Sequence, residues 1–168
     1  MHARPITKAD YDRIVAVIDQ WWEGPTTALA HPIFFYELGR LAQVVEWDDG
    51  AMVGFLLGFV VDPHVLGLHG VSLTGPPSSR GGGARIGYIH LVGIDPDYRR
   101  RGVARALYAA FEEACTDARC VAIKAIAPHG NEGSVRFHTA LGFTASNVDD
   151  YAGPGRSRMV FLKQLGER

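Results

Sequence analysis

The chain has little cysteine and no marked excess of either charge. Its two cysteines, Cys115 and Cys120, match neither a paired zinc-ligand spacing nor the framework of a disulfide-rich secreted protein, so we expect reduced core thiols. Lys and Arg number 17 against 18 Asp and Glu, which gives a net charge of −1. This balance lacks the cationic excess typical of proteins that bind nucleic acid or anionic membranes.

Long apolar runs are also missing. The chain has no stretch of about 18 consecutive apolar residues, and residues 1–14 lack the apolar core of a signal peptide. We therefore expect a cytoplasmic protein with no membrane partner and no nucleic-acid partner. Its 168 residues fit a single domain, 1–168, with a buried core. No metal site is expected, because His64 and His69 lack a clear third ligand.

Two segments near the N-terminus have helical spacing. A short strand at 3–7 leads to Thr7 and Asp10, which resemble the capping box of a first helix. His31-Pro32 opens a second helix, whose shared face consists of Phe35, Leu38 and Ala42.

Extended segments follow these helices. Residues 43–47 and 51–61 are rich in β-branched and aromatic side chains and flank Asp49-Gly50, which predicts an antiparallel hairpin. Residues 62–85 contain three prolines and the glycine triplet 81–83. This composition predicts a long flexible connection, either a lid over a pocket or plain disorder.

The second half of the chain is more regular. Residues 87–94 and 121–127 are predicted strands, and apolar spacing over 102–117 predicts a helix between them. These elements form one βαβ unit with parallel strands. A helix at 131–141 closed by Gly142 and strands near 143–148 and 157–164 complete a mixed α/β fold.

The turn before the helix at 102–117 has the chemistry of an anion site. It reads Asp95-Pro96-Asp97-Tyr98-Arg99-Arg100-Arg101-Gly102-Val103-Ala104. The first N–H groups of a helix lack intrahelical acceptors, and small residues let a ligand approach the main chain. The pattern indicates a diphosphate site, assisted by arginines. A solvated arginine cluster and a small nucleic-acid patch are the alternatives, and the chain lacks the glycine motifs of nucleotide P-loops and dinucleotide-binding turns.

Three ordered segments between about 86 and 145 resemble the GNAT superfamily, the Gcn5-related N-acetyltransferases. Arg99-x-x-Gly102-x-Ala104 matches the family motif (Q/R)-x-x-G-x-(G/A). The strand at 88–94 is similar to the family's central strand, and 131–143 is similar to its N-x-x-(S/A)-x-x-(F/L)-(Y/H)-x-x-(L/M)-G-F segment. The resemblance implies a mostly antiparallel central sheet flanked by helices, with the parallel βαβ unit at the cofactor site. It also implies acyl transfer from acetyl-CoA to a primary amine of a small molecule or peptide.

The resemblance further implies how coenzyme A is held. Main-chain N–H groups of 100–105 would cradle the pyrophosphate, and the backbone of 92–94 would pair with the pantetheine arm. Asn131 would help to hold the coenzyme, serve as a helix N-cap, or do both. The implied coenzyme-binding residues are Val92, Gly93, Ile94, Arg99, Arg100, Arg101, Gly102, Val103, Ala104, Arg105, Asn131, Ser134 and Phe137.

The catalytic groups depart from the family pattern. An amine with a pKa near 10.4 must lose a proton before it attacks a thioester. The family often uses a glutamate as base, but Tyr88 stands at the aligned position. His90, two residues on and on the same strand face, is either a base or water-holder or a hydrogen-bonded structural histidine. His138 replaces the family's thiolate-protonating tyrosine, and it donates the proton, packs beneath the coenzyme or bonds a neighbouring carbonyl.

The resemblance implies that the N-terminal helices and the connection before the central strand shape the acceptor pocket. The candidate substrate residues are Trp21, Trp22, Glu23 and Phe35, in an aromatic wall that includes Phe34 and Tyr36. These residues suit a core equally well, and core packing is the ordinary interpretation of the two tryptophans. A homodimer is an expectation from the family alone. An acyl-CoA-binding sensor with little catalysis is the main alternative function, because the strand carboxylate and the tyrosine are missing.

Overall fold

The computed structural model describes residues 1–22, 24–62 and 85–166. The strands are β1 His2–Pro5, β2 Gln43–Glu46, β3 Met52–Val61, β4 Arg85–Ile94, β5 Cys120–Pro128, β6 Thr144–Val148 and β7 Arg158–Gln164. The α-helices are α1 Lys8–Trp22, α2 Ile33–Tyr36, α3 Val103–Asp117 and α4 Glu132–Ala140. Short 3₁₀ helices cover Thr27–Ala30, Gly39–Leu41 and Pro96–Tyr98.

The strands form one sheet in the order β1-β2-β3-β4-β5-β7-β6. The pairs β1–β2, β2–β3, β5–β7 and β6–β7 are antiparallel, whereas β4 and β5 are parallel. Since α3 lies between β4 and β5 in the sequence, the predicted βαβ unit and the mostly antiparallel sheet are both confirmed.

The described residues group into two compact units. The first consists of Met1–Phe59 and Ile89–Ala114, and the second of Val60–Tyr88 and Cys115–Arg168. The single domain predicted from length stays a prediction. The connection predicted at 62–85 falls almost wholly on residues 63–84, which lie outside the described residues.

The predicted hairpin in the first unit is confirmed. Val44 pairs with Phe55 across β2 and β3. The Trp47 N–H donates to the Ala51 carbonyl, and the Gly50 N–H donates to the Trp47 carbonyl, each at 2.9 Å. Gly50 has φ +81°, a left-handed conformation that glycine adopts without steric penalty.

The core of the first unit forms where α1 packs on the sheet. Ile14, Ile18 and Trp21 follow helical spacing and pack against strand residues that include Phe55 and Leu91. The Trp21 indole is 4% exposed and stacks on the Phe55 ring with a centroid separation of 5.9 Å. The adjacent Trp22 is 42% exposed. Core packing is therefore confirmed for Trp21 and wrong for Trp22, because neighbouring helix residues point about 100° apart.

The second predicted helix is shorter than expected. It ends at Tyr36 because the N–H groups of both Glu37 and Leu38 donate to the Ile33 carbonyl. The chain then turns so tightly that a Cβ on Gly39 would lie 2.9 Å from the Phe34 carbonyl oxygen. Phe35, Leu38 and Ala42 therefore do not share one helical face, and β2 begins at Gln43.

The first turn of α1 is fixed by a buried carboxylate. Asp10 is 1% exposed, and its Oδ2 accepts from the Thr7 N–H and the Thr7 hydroxyl at 2.7 Å. Arg4 of β1 donates to both Asp10 oxygens at 2.7 and 3.0 Å and to Glu46 of β2 at 2.7 Å. Burial alone would raise the pKa of Asp10, but the hydrogen bonds from Arg4 and Thr7 outweigh it and hold that pKa far below its usual range.

The second unit confirms the predicted C-terminal elements. The Asn131 side chain caps α4 by accepting from the Ser134 N–H at 2.9 Å. Gly142, with φ +84°, ends the segment, and the Phe143 N–H donates to the His138 carbonyl. Cys115 and Cys120 are buried and form no disulfide, as expected for core thiols.

We predict that Asp10→Asn lowers the free energy of unfolding at pH 7 by about 3 kcal/mol, because it removes the anion that Arg4 and Arg13 surround. The wild-type advantage should shrink by about 1 kcal/mol between pH 7 and pH 3. The sign follows from the lowered folded-state pKa, since the unfolded chain takes up this proton first as the pH falls below about 4.

Urea denaturation of both proteins at the two pH values measures this difference. Glu132→Gln is the matched control, because its ion pair with Arg136 is exposed and should contribute little. A loss at pH 7 no larger than that of the control would show that the buried carboxylate does not stabilise the fold.

Candidate active site

The central strand β4 alternates between a buried face and a half-buried face. Ile89, Leu91 and Gly93 are buried, whereas Tyr88, His90, Val92 and Ile94 are half-buried. Successive side chains of a strand point to opposite faces. The expectation that Tyr88 and His90 share a face is therefore confirmed.

His90 is held in one tautomer by a backbone carbonyl. Its Nε2 lies 2.8 Å from the Leu29 carbonyl oxygen, which can only accept, so Nε2–H donates. The neutral ring then has its lone pair on Nδ1. Burial lowers the pKa of His90, and the bond to Leu29 offsets only part of that effect. At neutral pH the imidazole is therefore uncharged and can accept a proton at Nδ1.

One member of the predicted aromatic wall covers His90. The Phe34 ring stacks on the imidazole with a centroid separation of 3.9 Å and on Phe59 at 5.7 Å. Phe35 instead contacts Tyr11 edge-on at 4.5 Å and packs against the core. The structure thus brings Phe34 to the candidate base, while Phe35 and Trp21 serve packing.

Gly93 has a packing role that its motif did not reveal. A Cβ built on Gly93 would overlap Cε1 and Cζ of the buried Phe55 ring. Nearby, a Cβ on Gly54 would lie 2.6 Å from Cγ1 of Val103 and 3.3 Å from the Gly93 carbonyl oxygen. The two glycines therefore allow β3, β4 and the start of α3 to approach closely.

The turn between β4 and α3 has an unusual backbone. The Asp95 carboxylate accepts from the Asp97 N–H at 2.9 Å, which starts the 3₁₀ helix Pro96–Tyr98. Arg100 and Gly102 both have left-handed φ values, +60° and +86°. Apart from Gly102 itself and its two chain neighbours, no described atom lies within 4 Å of a Cβ built on Gly102. Its conformation, not crowding within the protein, is what calls for glycine there.

The start of α3 is open. The first intrahelical bond runs from the Ala106 N–H to the Gly102 carbonyl at 3.0 Å, and the preceding N–H groups lie ahead of that ladder. Arg100, Arg101 and Gly102 are exposed. The Arg101 guanidinium lies 5.2 Å from the centre of the Tyr98 ring, whereas the Arg99 Nη2 donates to the Trp21 carbonyl at 2.8 Å.

His138 is a buried histidine of the second unit. It is 6% exposed, and its ring stacks on Phe161 at 3.9 Å with an interplanar angle of 4°. Nδ1 donates to the Ser134 carbonyl at 2.8 Å, and the Phe137 ring lies edge-on at 5.5 Å. Burial lowers the pKa of His138 despite the bond to Ser134. The bond to Ser134 matches the interpretation that His138 bonds a neighbouring carbonyl. Its catalytic role and its packing beneath the coenzyme stay predictions, as do the coenzyme roles of Asn131, Ser134 and Phe137.

The second unit also contains a buried lysine that the sequence did not indicate as a candidate site residue. Lys124 of β5 is 3% exposed, and its ammonium lies 5.5 Å from the centre of the Tyr151 ring. Burial lowers the pKa of Lys124, and burial with the nearby Tyr151 raises the pKa of Tyr88 to about 12. A single lysine in an apolar strand gives no motif that could have indicated this cluster.

Glu23 lies outside the described residues. Within residues 1–22, 24–62 and 85–166, no group of three or more His, Cys, Asp or Glu is arranged to hold a metal ion. Over those same ranges, no helix has both the length and the apolar character needed to cross a bilayer.

A family model and many solved structures match this chain. The model described as Acetyltransferase (GNAT) family matches residues 11–143. Arabidopsis thaliana NAA60, solved with acetyl-CoA, superposes with a TM-score of 0.78 at 17% identity and covers 98% of this chain and 99% of that one. The ribosomal-protein-S18-alanine N-acetyltransferase from Escherichia coli superposes with a TM-score of 0.71 at 13% identity, over 99% and 95% of the chains. At these identities the likeness shows the fold.

Curated relatives match part of their length. A mycothiol acetyltransferase of Nocardiopsis dassonvillei is 28% identical over 114 residues, which are 68% of this chain and 34% of that protein. A mycothiol acetyltransferase of Arthrobacter sp. is 30% identical over 115 residues, 68% of this chain and 33% of that protein. The chain thus matches about a third of the length of these relatives.

We predict that Gly93→Ala lowers the free energy of unfolding by about 2 kcal/mol, because the new methyl group overlaps the Phe55 ring. In Phe55→Leu/Gly93→Ala the total loss should be smaller than the sum of the two single losses by at least about 1 kcal/mol. Urea denaturation of the four proteins measures this coupling.

The matched control is Gly133→Ala in α4, where the new Cβ makes an ordinary 3.6 Å contact and alanine favours the helix. It should leave the free energy of unfolding equal or slightly higher. Strictly additive losses at positions 55 and 93 would contradict the close approach of ring and strand.

Proposed function

Because the chain belongs to the acetyltransferase (GNAT) family, we propose that it transfers an acetyl group from acetyl-CoA to a primary amine of a small molecule or peptide. The amine attacks the thioester carbonyl directly, a C–N bond forms, the C–S bond breaks, and coenzyme A leaves as the thiol. The observation that carries the proposal is the open start of α3, which follows the left-handed Gly102 within the Arg99-x-x-Gly102-x-Ala104 motif.

The residues at this helix start fit a diphosphate. Main-chain N–H groups ahead of the first intrahelical bond carry partial positive charge, and the helix dipole adds to it. Arg100 and Arg101 are exposed beside them and add cationic charge. Apart from Gly102 itself and its chain neighbours Arg101 and Val103, no described atom lies within 4 Å of the Gly102 Cβ position, so no more distant described residue crowds it.

His90 is the proposed base. Its Nε2–H is held by Leu29, so Nδ1 takes the proton from the ammonium group of the acceptor, directly or through a water molecule. The stacked Phe34 ring and the half-buried position favour the uncharged imidazole that this step requires. A main-chain N–H of Val92 or Gly93 would stabilise the oxyanion of the tetrahedral intermediate.

The leaving thiolate needs a proton donor. With Nδ1–H donated to Ser134, His138 could supply a proton from Nε2 only as an imidazolium, which its burial disfavours. Tyr88 has a raised pKa of about 12, so its hydroxyl is protonated at neutral pH and can donate but not act as a base. We therefore favour Tyr88 over His138 as donor.

The names of similar proteins indicate two classes of acceptor. The curated sequence relatives are called mycothiol acetyltransferase, whereas one structural neighbour is called ribosomal-protein-S18-alanine N-acetyltransferase. The proposed acceptor class accordingly includes small-molecule amines and peptide N-termini. A panel of amines must contain both.

We predict that acetyl-CoA raises the melting temperature of the protein by mass action and that at least one amine in such a panel releases free thiol. Release is followed with a thiol-reactive chromophore, and mass spectrometry must show one acetyl group added to the amine. Gly102→Glu should abolish both the thermal shift and the release, because its carboxylate repels the diphosphate.

Gly102→Asn is the matched variant, since asparagine tolerates left-handed φ and adds no charge. It should retain part of the coenzyme binding. A thermal shift with acetyl-CoA but no thiol release with any amine would contradict the enzyme hypothesis and favour an acyl-CoA-binding sensor.

We predict that His90→Gln lowers kcat about 100-fold and leaves coenzyme affinity unchanged. Glutamine can still donate to the Leu29 carbonyl but cannot take up a proton. Because burial lowers the pKa of His90, protonation of this imidazole should lower the wild-type kcat/KM only at acidic pH. This part of the pH profile should be absent from the variant. Taking the ratio of the two proteins at each pH removes the ionisation of the amine itself.

His129→Gln controls for the loss of a histidine, since His129 is exposed and bonded to Asn147. It should show wild-type kcat and an unchanged pH profile. Equal kcat in wild type and His90→Gln would leave His90 as a structural residue only.

A further inference from the structure

The guanidinium of Arg99 lies at the C-terminal end of α1. Its Nη2 donates to the carbonyl oxygen of Trp21, the penultimate residue of that helix, at 2.8 Å. The last carbonyls of a helix have no intrahelical donors, and the helix dipole places partial negative charge there. A cation at this position therefore caps α1.

The same residue begins the turn that the proposed function assigns to the diphosphate. Arg99 itself is extended, with φ −61° and ψ 150°. Arg100 and Gly102 follow with left-handed φ values, and for Arg100, which has a Cβ, that conformation is unfavourable. Bonds at both ends help to hold this turn in shape. The Ala106 to Gly102 bond holds one end, and the Arg99 to Trp21 bond holds the other.

The helix end that receives Arg99 also contacts the core behind the central strand. The Trp21 indole stacks on Phe55, and the Phe55 ring lies against Gly93 of β4. Trp21 thus contacts Arg99 through its carbonyl and, through Phe55, the strand expected to carry the pantetheine arm. The last turn of α1 relates the positions of these two parts of the coenzyme site.

We propose that Arg99 is a positioning residue for coenzyme A, which shapes the diphosphate turn by capping α1 and does not bind phosphate. This inference rests on the proposed function, because it divides labour within the same site. Main-chain N–H groups and the arginines at 100 and 101 meet the phosphates. The positive charge of Arg99 is used within the protein.

A positioning role and a phosphate-binding role for Arg99 predict different amide hydrogen exchange in the protein without ligand. They also predict a different salt dependence of coenzyme A binding. Arg99→Ala should increase amide hydrogen exchange in 100–105 and in the last turn of α1 in the absence of coenzyme. It should also weaken coenzyme A binding about tenfold, the size expected for one hydrogen bond to a charged group. This factor should be the same at about 50 mM and about 300 mM salt, because no contact between guanidinium and phosphate is lost.

Arg100→Ala is the contrasting variant, since it removes the same charge at the adjacent residue, which is exposed as Arg99 is. It should leave hydrogen exchange without ligand unchanged and make the salt dependence of the Kd shallower. Arg99→Lys keeps a cationic donor and should recover most of the affinity and of the exchange protection. That recovery, with an unchanged melting temperature, separates positioning from a general folding defect.

Isothermal titration with coenzyme A and hydrogen exchange by mass spectrometry test the assignment. Weaker binding at both salt concentrations with faster exchange in the ligand-free Arg99→Ala protein supports it. Unchanged exchange combined with a shallower salt dependence would make Arg99 a direct phosphate ligand and overturn it, as would unchanged affinity. If the wild-type protein itself binds no coenzyme A, the proposed function fails, and this assignment fails with it.

Discussion

Phe55 fills the space that a side chain on Gly93 would need, and this contact sets the position of the central strand in the first unit. The ring is fully buried and is stacked by Trp21 from the last turn of α1. Because interiors are close-packed, β4 cannot move toward β3 without displacing that helix. The backbone proposed to receive the thioester is therefore held by core packing as well as by sheet hydrogen bonds.

Helix α1 is held at each end by an arginine from another part of the chain, Arg4 at its start and Arg99 at its end. At its start, Arg4 and Arg13 surround the buried Asp10, which lies where the helix dipole favours an anion. At its end, Arg99 meets the Trp21 carbonyl, where the dipole favours a cation. Both arginines also connect distant parts of the sequence, because Arg4 donates to Glu46 of β2 as well as to Asp10, and Arg99 donates to Trp21. The helix thus joins the outer strands β1 and β2 to the turn that precedes α3.

Burial shifts the pKa values of the three candidate proton-transfer side chains. It favours the uncharged imidazoles of His90 and His138 by lowering the pKa of each, and it raises the pKa of Tyr88 further above neutral pH. The hydrogen bond to Leu29 then leaves Nδ1 of His90 as its basic nitrogen. The corresponding bond to Ser134 occupies Nδ1–H of His138. The two neutral histidines are therefore different tautomers. His90 carries its hydrogen on Nε2, which donates to Leu29, and His138 carries its hydrogen on Nδ1, which donates to Ser134.

The sequence by itself determined the order of the elements, the hairpin at Asp49-Gly50, the βαβ unit and the motif that ends at Ala104, because periodicity, turn chemistry and motif spacing are local properties. The helical spacing predicted too long a second helix, because the tight turn that brings Gly39 against the Phe34 carbonyl oxygen is not visible in a local pattern. Only the tertiary structure decided that Trp21 is core while Trp22 is exposed, that Arg99 caps α1, and that Phe34 covers His90. Those contacts join residues that are up to 78 positions apart, and no local pattern records which distant partner a side chain will meet.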